Sequence, residues 1–201
     1  MQRFDLSAAW ERLAAMIQWI VALYGGPAEI AQRLCFLRKD RQHFLAWLAP
    51  LEALARRLLF IEAAVLPAPN RVPAVTAAGR IANAYTDEPR AELPEDPKRW
   101  RVVFRVGPSS ARRAAPSVLA PRGFGAIANA LPLARRLEAL LRLMENRTRA
   151  LARLARRLHA SPKRCAAAFA PYRHRARFAT DALHAAQTEA DIARARFADT
   201  S

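Results

Sequence analysis

Apolar residues recur at helical spacing through residues 6–24, the first long pattern in the chain. They fall three or four positions apart, as on one face of an α-helix: Trp10, Leu13, Ala14, Ile17, Val21 and Tyr24. Other apolar residues widen this stripe until little of the second half is polar. A helix that is apolar nearly all round is either buried in a bundle or placed at a membrane interface.

Two further helices are predicted before residue 67. Gly25-Gly26 ends the first helix, and Pro27 suits the first position of the second, which is predicted to run to residue 49. Pro50 restarts or kinks the chain, and a third amphipathic piece follows it. Because the connections are short, the three helices of residues 1–66 should be antiparallel neighbours.

Residues 67–130 differ in kind, since they hold nine of the 14 prolines. A stretch this long without regular structure is uncommon inside a compact domain, so we interpret it as a partly disordered linker or a functional insertion. One segment within it, WRVVFRV at residues 100–106, places apolar residues at every second position with Arg101 and Arg105 on the other face, and predicts one short β-strand. Its dry side consists of Trp100, Val102, Phe104 and Val106.

A lone strand cannot satisfy its own backbone hydrogen bonds, and no equally good strand is evident nearby. The 100–106 strand is therefore a candidate docking edge for a protein partner or for a second copy of the chain. The alternative is a local strand laid across the helices of the same chain. Both interpretations remain open at this point.

A long helix is predicted over residues 131–160. Four apolar residues recur every seven positions, which favours a bundle or coiled-coil seam: Leu137, Met144, Leu151 and Leu158. A second row with the same period lies on the opposite side and should face outward: Arg135, Arg142, Arg149 and Arg156. Arg147 interrupts the seam; it could reach outward, pair with a carboxylate, or mark where the partner helix ends.

The charge balance of the chain bears on the role of the arginine row. The chain carries a formal net charge of +16, and residues 131–160 hold eight arginines against only two glutamates. All but three of the 33 basic residues are arginine, a bias that a GC-rich bacterial genome produces through its codons. The row is therefore either an ordinary solvated face or a surface that binds an anion. The shortage of acidic neighbours favours the second interpretation.

The segment after the long helix is also rich in basic residues. Residues 163–178 interleave basic and aromatic residues, and Arg173, Arg175 and Arg177 are candidate helpers in anion binding. The spacing matches no nucleic-acid-binding module. A final helix is predicted from Thr180 to about Phe197.

Catalytic and metal motifs are missing from the sequence. The four histidines lie far apart, no nucleophile or phosphate-loop motif occurs, and Cys35 and Cys165 lack metal-site spacing. We predict no catalytic residues, no cofactor and no metal site. The N-terminus shows no clean signal peptide and its apolar run is shorter than a membrane span, so a cytoplasmic location is predicted, with a peripheral membrane position as the alternative.

These patterns predict a mainly α-helical bundle, in which residues 131–201 pack with residues 1–66 and residues 67–130 form the insertion. The leading hypothesis is a non-catalytic interaction protein whose arginine row binds a polyanion, and nucleic acid is the first candidate for that polyanion. The second is a peripheral membrane protein that uses residues 10–24 and arginine contacts to anionic lipid. The third is a helical adaptor that meets a partner, or a second copy of itself, through the 100–106 strand or the 137–158 seam.

Overall fold

The computed structural model describes residues 4–33, 35–67, 96–106, 128–167, 169 and 180–198. Of these residues 82% are helical, which confirms the predicted mainly α-helical bundle. The helices are α1 (Leu6–Tyr24), α2 (Pro27–Gln32), α3 (Arg38–Val65), α4 (Leu131–Glu145), α5 (Arg147–Ala160), α6 (Pro162–Ala167) and α7 (Thr180–Ala198). Two short strands, β1 (Cys35–Phe36) and β2 (Ala128–Asn129), pair antiparallel.

Helix α3 is the centre of the bundle and contacts α1, α5 and α7. Pro50 lies inside it and is itself buried. A proline within a helix removes one backbone hydrogen bond and costs about 3 kcal/mol. Complete burial of Phe44, Leu48 and Leu54 around it offsets that cost. The predicted second and third helices are therefore joined at Pro50.

The break between helices falls earlier than predicted, after α2. Here the chain leaves helical geometry at Arg33 and forms β1, which pairs with β2 in the register Cys35 with Asn129 and Phe36 with Ala128. Phe36 is buried and stacks on Phe44, with ring centroids 6.0 Å apart. This packing explains why an apparently helical sequence is extended at this point.

Helix α1 has the predicted bounds. Asp5 caps its first turn, because its carboxylate accepts hydrogen bonds from the backbone nitrogens of Ser7 at 2.9 Å and Ala8 at 3.1 Å. Four side chains enter the core: Trp10, Leu13, Ile17 and Ile20. By length and composition the segment Leu6–Gln32 could cross a membrane, although these four residues pack against the rest of the bundle.

Gly25 ends α1 with a positive φ of 91°, a conformation that favours glycine. A Cβ at this position would also meet the side chain of Glu29. We expect Gly25→Ala to lower the free energy of unfolding by about 1–2 kcal/mol, measured by urea denaturation. Gly26→Ala is the matched control: φ is −70° and no atom lies within 4 Å of its added Cβ, so its stability should not fall. Equal destabilisation by both substitutions would contradict this account.

The predicted helix over 131–160 differs from the structure at Asn146. Its φ of −122° and ψ of 42° separate α4 from α5. Helix α4 packs mainly on α2, whereas α5 packs on α3. Leu137, Leu151 and Leu158 are buried within the chain, and Met144 is half-buried, so this seam is filled intramolecularly.

Arg147, the predicted flaw in the seam, begins α5 and pairs with a carboxylate. Its Nε lies 3.8 Å from Glu62 Oε2, and its guanidinium stacks over the Trp10 ring at 5.0 Å. Trp10 Nε1 donates to the same Glu62 oxygen at 3.2 Å. The arginine therefore joins α1, α3 and α5, which is the second of the three alternatives that the sequence left open.

Residues 100–106 show the predicted alternation. Trp100, Val102, Phe104 and Val106 are buried in the chain's own core, and the intervening residues are exposed. Among the described residues this segment forms no β-ladder; arginine side chains bind several of its carbonyl oxygens instead. The apolar face proposed as a docking edge is therefore occupied by the same chain.

Several predictions lie outside the described residues. They concern the tail arginines Arg173, Arg175 and Arg177 and most of the 67–130 segment. The final helix is described, and α7 begins at the predicted Thr180 and packs on α3.

Candidate functional site

Four arginines share the exposed face of α5, which we call the α5 basic face: Arg149, Arg153, Arg156 and Arg157. They occupy positions i, i+4, i+7 and i+8, which lie on one side of a helix with 3.6 residues per turn. The opposite side of α5 is buried in the bundle through Ala150, Leu151, Leu154, Ala155 and Leu158. Burial of one face thus directs the arginines to solvent.

No residue in the described part of the chain forms an ion pair with these four side chains. Arg153 Nε and Arg156 Nε bond weakly to carbonyls of their own helix, at 3.3 and 3.2 Å. Partial burial, and then the neighbouring charges of Arg149, Arg157 and Arg156, lower the pKa of Arg153. The positive charges therefore repel one another, and an anion would relieve that repulsion.

The dimensions of the α5 basic face suit a chain of phosphates. Arg149 and Arg157 are eight residues apart, which corresponds to about 12 Å along the helix axis. Guanidinium groups bind phosphate oxygens in a planar, bidentate manner. The other exposed side chains of α5 include no amide and no Phe, Tyr or Trp ring (Thr148, Ala152, His159 and Ala160). The face therefore offers phosphate contacts and lacks large base-stacking rings.

The predicted arginine row divides into two groups. Arg149 and Arg156 lie on the α5 basic face, whereas Arg135 is half-buried on α4, before the break at Asn146. The prediction that the whole row faces outward is wrong for Arg142, because its guanidinium donates to acceptors of its own chain. The exposed cluster therefore contains Arg153 and Arg157, which were not predicted. It does not contain Arg135 and Arg142, which were predicted.

Arg142 holds residues 97–102 against α4. It donates to Glu138 Oε1 at 2.6 Å, to the carbonyl of Trp100 at 2.8 Å and to that of Pro97 at 2.5 Å. A longer contact reaches the carbonyl of Val102 at 3.4 Å. Glu138 is buried, so Arg142 both neutralises a buried carboxylate and satisfies backbone oxygens that pair with no described strand.

A second buried carboxylate, Glu52 of α3, repeats this arrangement. It accepts two bonds from Arg136 of α4, both at 2.8 Å, and one from Arg56 at 3.3 Å. Arg56 continues to the carbonyl of Arg105 at 3.0 Å and lies over the Phe104 ring at 5.4 Å. Sequence reasoning missed Glu52, because its partner Arg136 is 84 residues away. The spacing of Glu52 and Arg56, four residues apart, was the one local signal.

The histidines and cysteines assemble no metal centre among the described residues. His43 Nδ1 lies 2.7 Å from the Tyr24 hydroxyl, and His159 Nε2 lies 3.3 Å from the carbonyl of Leu66. Both free cysteines belong to the described residues; Cys35 is exposed, and burial raises the pKa of Cys165. These residues give no chemical rationale for a reaction.

Comparisons of the chain with protein-family models, with curated proteins and with solved structures found no match.

Proposed function

We propose that this protein is a non-catalytic interaction protein that binds the phosphate backbone of a nucleic acid through the α5 basic face. The observation that carries the proposal is the exposed cluster of Arg149, Arg153, Arg156 and Arg157, which has no acidic partner among the described residues and lies on a helix whose other side is buried. The formal net charge of +16 adds long-range attraction for any polyanion.

Binding through this face follows from counterion release. Each arginine that neutralises a phosphate frees a condensed cation, so affinity falls as salt rises. The bundle fixes α5 through its buried side, so the backbone that carries the arginines is already ordered before binding, which limits the conformational entropy lost. The proposal assigns the four arginines to phosphates, which carry no sequence information, and the other exposed α5 residues include no amide and no large aromatic side chain. Binding should therefore depend little on base sequence.

The proposal is tested by replacing Arg149, Arg153, Arg156 and Arg157 with glutamine and measuring duplex DNA affinity by fluorescence anisotropy at low salt. Without these four phosphate-binding side chains, affinity should fall by about 100-fold, comparable to the fall that four phosphate contacts undergo between about 50 and 200 mM salt. A general effect of net charge is controlled by a second variant that removes four exposed cations elsewhere: Arg33, Arg38, Lys39 and Arg41. The control should bind within a few-fold of the wild type. Equal weakening in both variants would refute a localised site.

A further inference from the structure

Three large apolar side chains are exposed together at the end of the bundle where α1 ends and α3 begins. We call them the N-terminal apolar patch: Trp19, Leu23 and Leu37, which are 47%, 52% and 61% exposed. Leu23 and Leu37 line the same open depression of about 480 Å³, together with His43. Trp19 lies one helical turn before Leu23 and packs on Trp47 with ring centroids 4.4 Å apart, and Trp47 meets His43 at 6.5 Å. The patch is thus continuous.

Cations lie beside this patch, at the depression and next to Leu37. Arg33 lines the depression, and Arg38, Lys39 and Arg41 follow Leu37 directly along the chain; all four are exposed. None of them forms an ion pair with a described residue. The nearby carboxylates are Asp40, also at the depression, and Glu29 of α2, and both are exposed. Positive charge therefore exceeds negative charge around the exposed apolar side chains.

We propose that the N-terminal apolar patch docks on an anionic lipid bilayer, with Trp19, Leu23 and Leu37 in the interface and the four cations at the headgroups. Tryptophan favours the boundary between water and hydrocarbon because its ring is apolar and its N–H is polar. Leucine side chains gain by leaving water, and each adjacent cation adds about fivefold in affinity for an anionic surface.

A bilayer fits these features better than a protein partner does. The four cations outnumber the two nearby carboxylates, which suits an anionic headgroup surface, whereas protein interfaces are depleted in lysine. A bilayer also needs no shape complementarity, which agrees with an open depression. This inference goes beyond the proposed function and shares no residue with the α5 basic face.

The test is co-sedimentation of the full chain with vesicles of phosphatidylcholine, with and without phosphatidylserine. We expect binding to the vesicles that contain phosphatidylserine and much weaker binding to neutral ones. Leu23→Asp combined with Leu37→Asp should weaken it by more than about tenfold, because one leucine that leaves water contributes at least that factor. The matched control places two aspartates at exposed aliphatic positions elsewhere, Val65→Asp with Ile192→Asp, and should retain binding to within a few-fold.

Four results would overturn the inference. One is failure of the wild-type chain to bind vesicles that contain phosphatidylserine. The second is equal binding by the wild type and the Leu23/Leu37 variant, which would show that the patch does not contact lipid and would favour a protein partner for it. The third is equal weakening in both aspartate variants, which would show that the loss of vesicle binding comes from the change in net charge. The glutamine variant of the α5 basic face should keep vesicle binding; its failure to bind, with retention in the Leu23/Leu37 variant, would also overturn the inference. Circular dichroism verifies that each variant is folded.

Discussion

Glu52→Ala is expected to destabilise the bundle by about 2–3 kcal/mol, measured by urea denaturation. The substitution removes the buried carboxylate that holds Arg136 and Arg56, and so breaks both of these ion pairs. Removal of one partner from a fully buried ion pair costs about 3–5 kcal/mol. Here the two arginine side chains are about one-third exposed, so water can solvate them in part and the expected destabilisation is smaller.

The matched control is Glu145→Ala. Glu145 is exposed and forms no ion pair with a described residue, so its removal should change stability by less than about 0.5 kcal/mol. Glu52→Gln should fall between the two, because its amide oxygen still accepts one hydrogen bond but carries no charge. If Glu52→Ala were as stable as Glu145→Ala, the buried carboxylate would not be what joins α3 to α4.

Arg142→Gln is expected to lower the free energy of unfolding by a similar amount, about 2–3 kcal/mol, and to loosen residues 97–102. The change leaves Glu138 buried without a counter-charge and removes the donor for the carbonyls of Pro97 and Trp100. Trypsin should therefore cleave after Arg99 and Arg101 faster in this variant than in the wild type, under native conditions.

Arg149→Gln is the control for Arg142→Gln, since both residues belong to the row of arginines spaced seven positions apart. Arg149 is exposed on the α5 basic face, so its replacement should leave stability and proteolysis unchanged. It should instead lower the slope of the salt dependence of DNA binding by about one, which Arg142→Gln should not do. The reverse assignment of the two effects would contradict the division of the row.

Local patterns predicted the elements that local forces determine. The bounds of α1 follow from its periodicity, the Asp5 cap and Gly25, all within 25 residues of one another. The buried side of residues 100–106 follows from alternation alone. The break at Asn146 could not be predicted in this way, because the apolar repeat continues across it and both halves bury their leucines.

The roles of the arginines depended on long-range contacts. A seven-residue period drifts by about 20° per heptad on a straight helix, and the break at Asn146 adds a change of direction. Identical spacing therefore placed Arg142 near Pro97, 45 residues away, but left Arg149 in solvent. Only the fold shows that Glu52 neutralises Arg136 of α4 and that Glu138 neutralises Arg142. Helix α5 contains no acidic residue that could do the same.

Contact between the α5 basic face and phosphates is tested most directly by the salt dependence of duplex DNA binding. The slope of log affinity against log salt should be shallower by about 3.6 in the glutamine variant of Arg149, Arg153, Arg156 and Arg157 than in the wild type. The matched variant of Arg33, Arg38, Lys39 and Arg41 should keep the wild-type slope. An unchanged slope in the α5 variant would contradict the account.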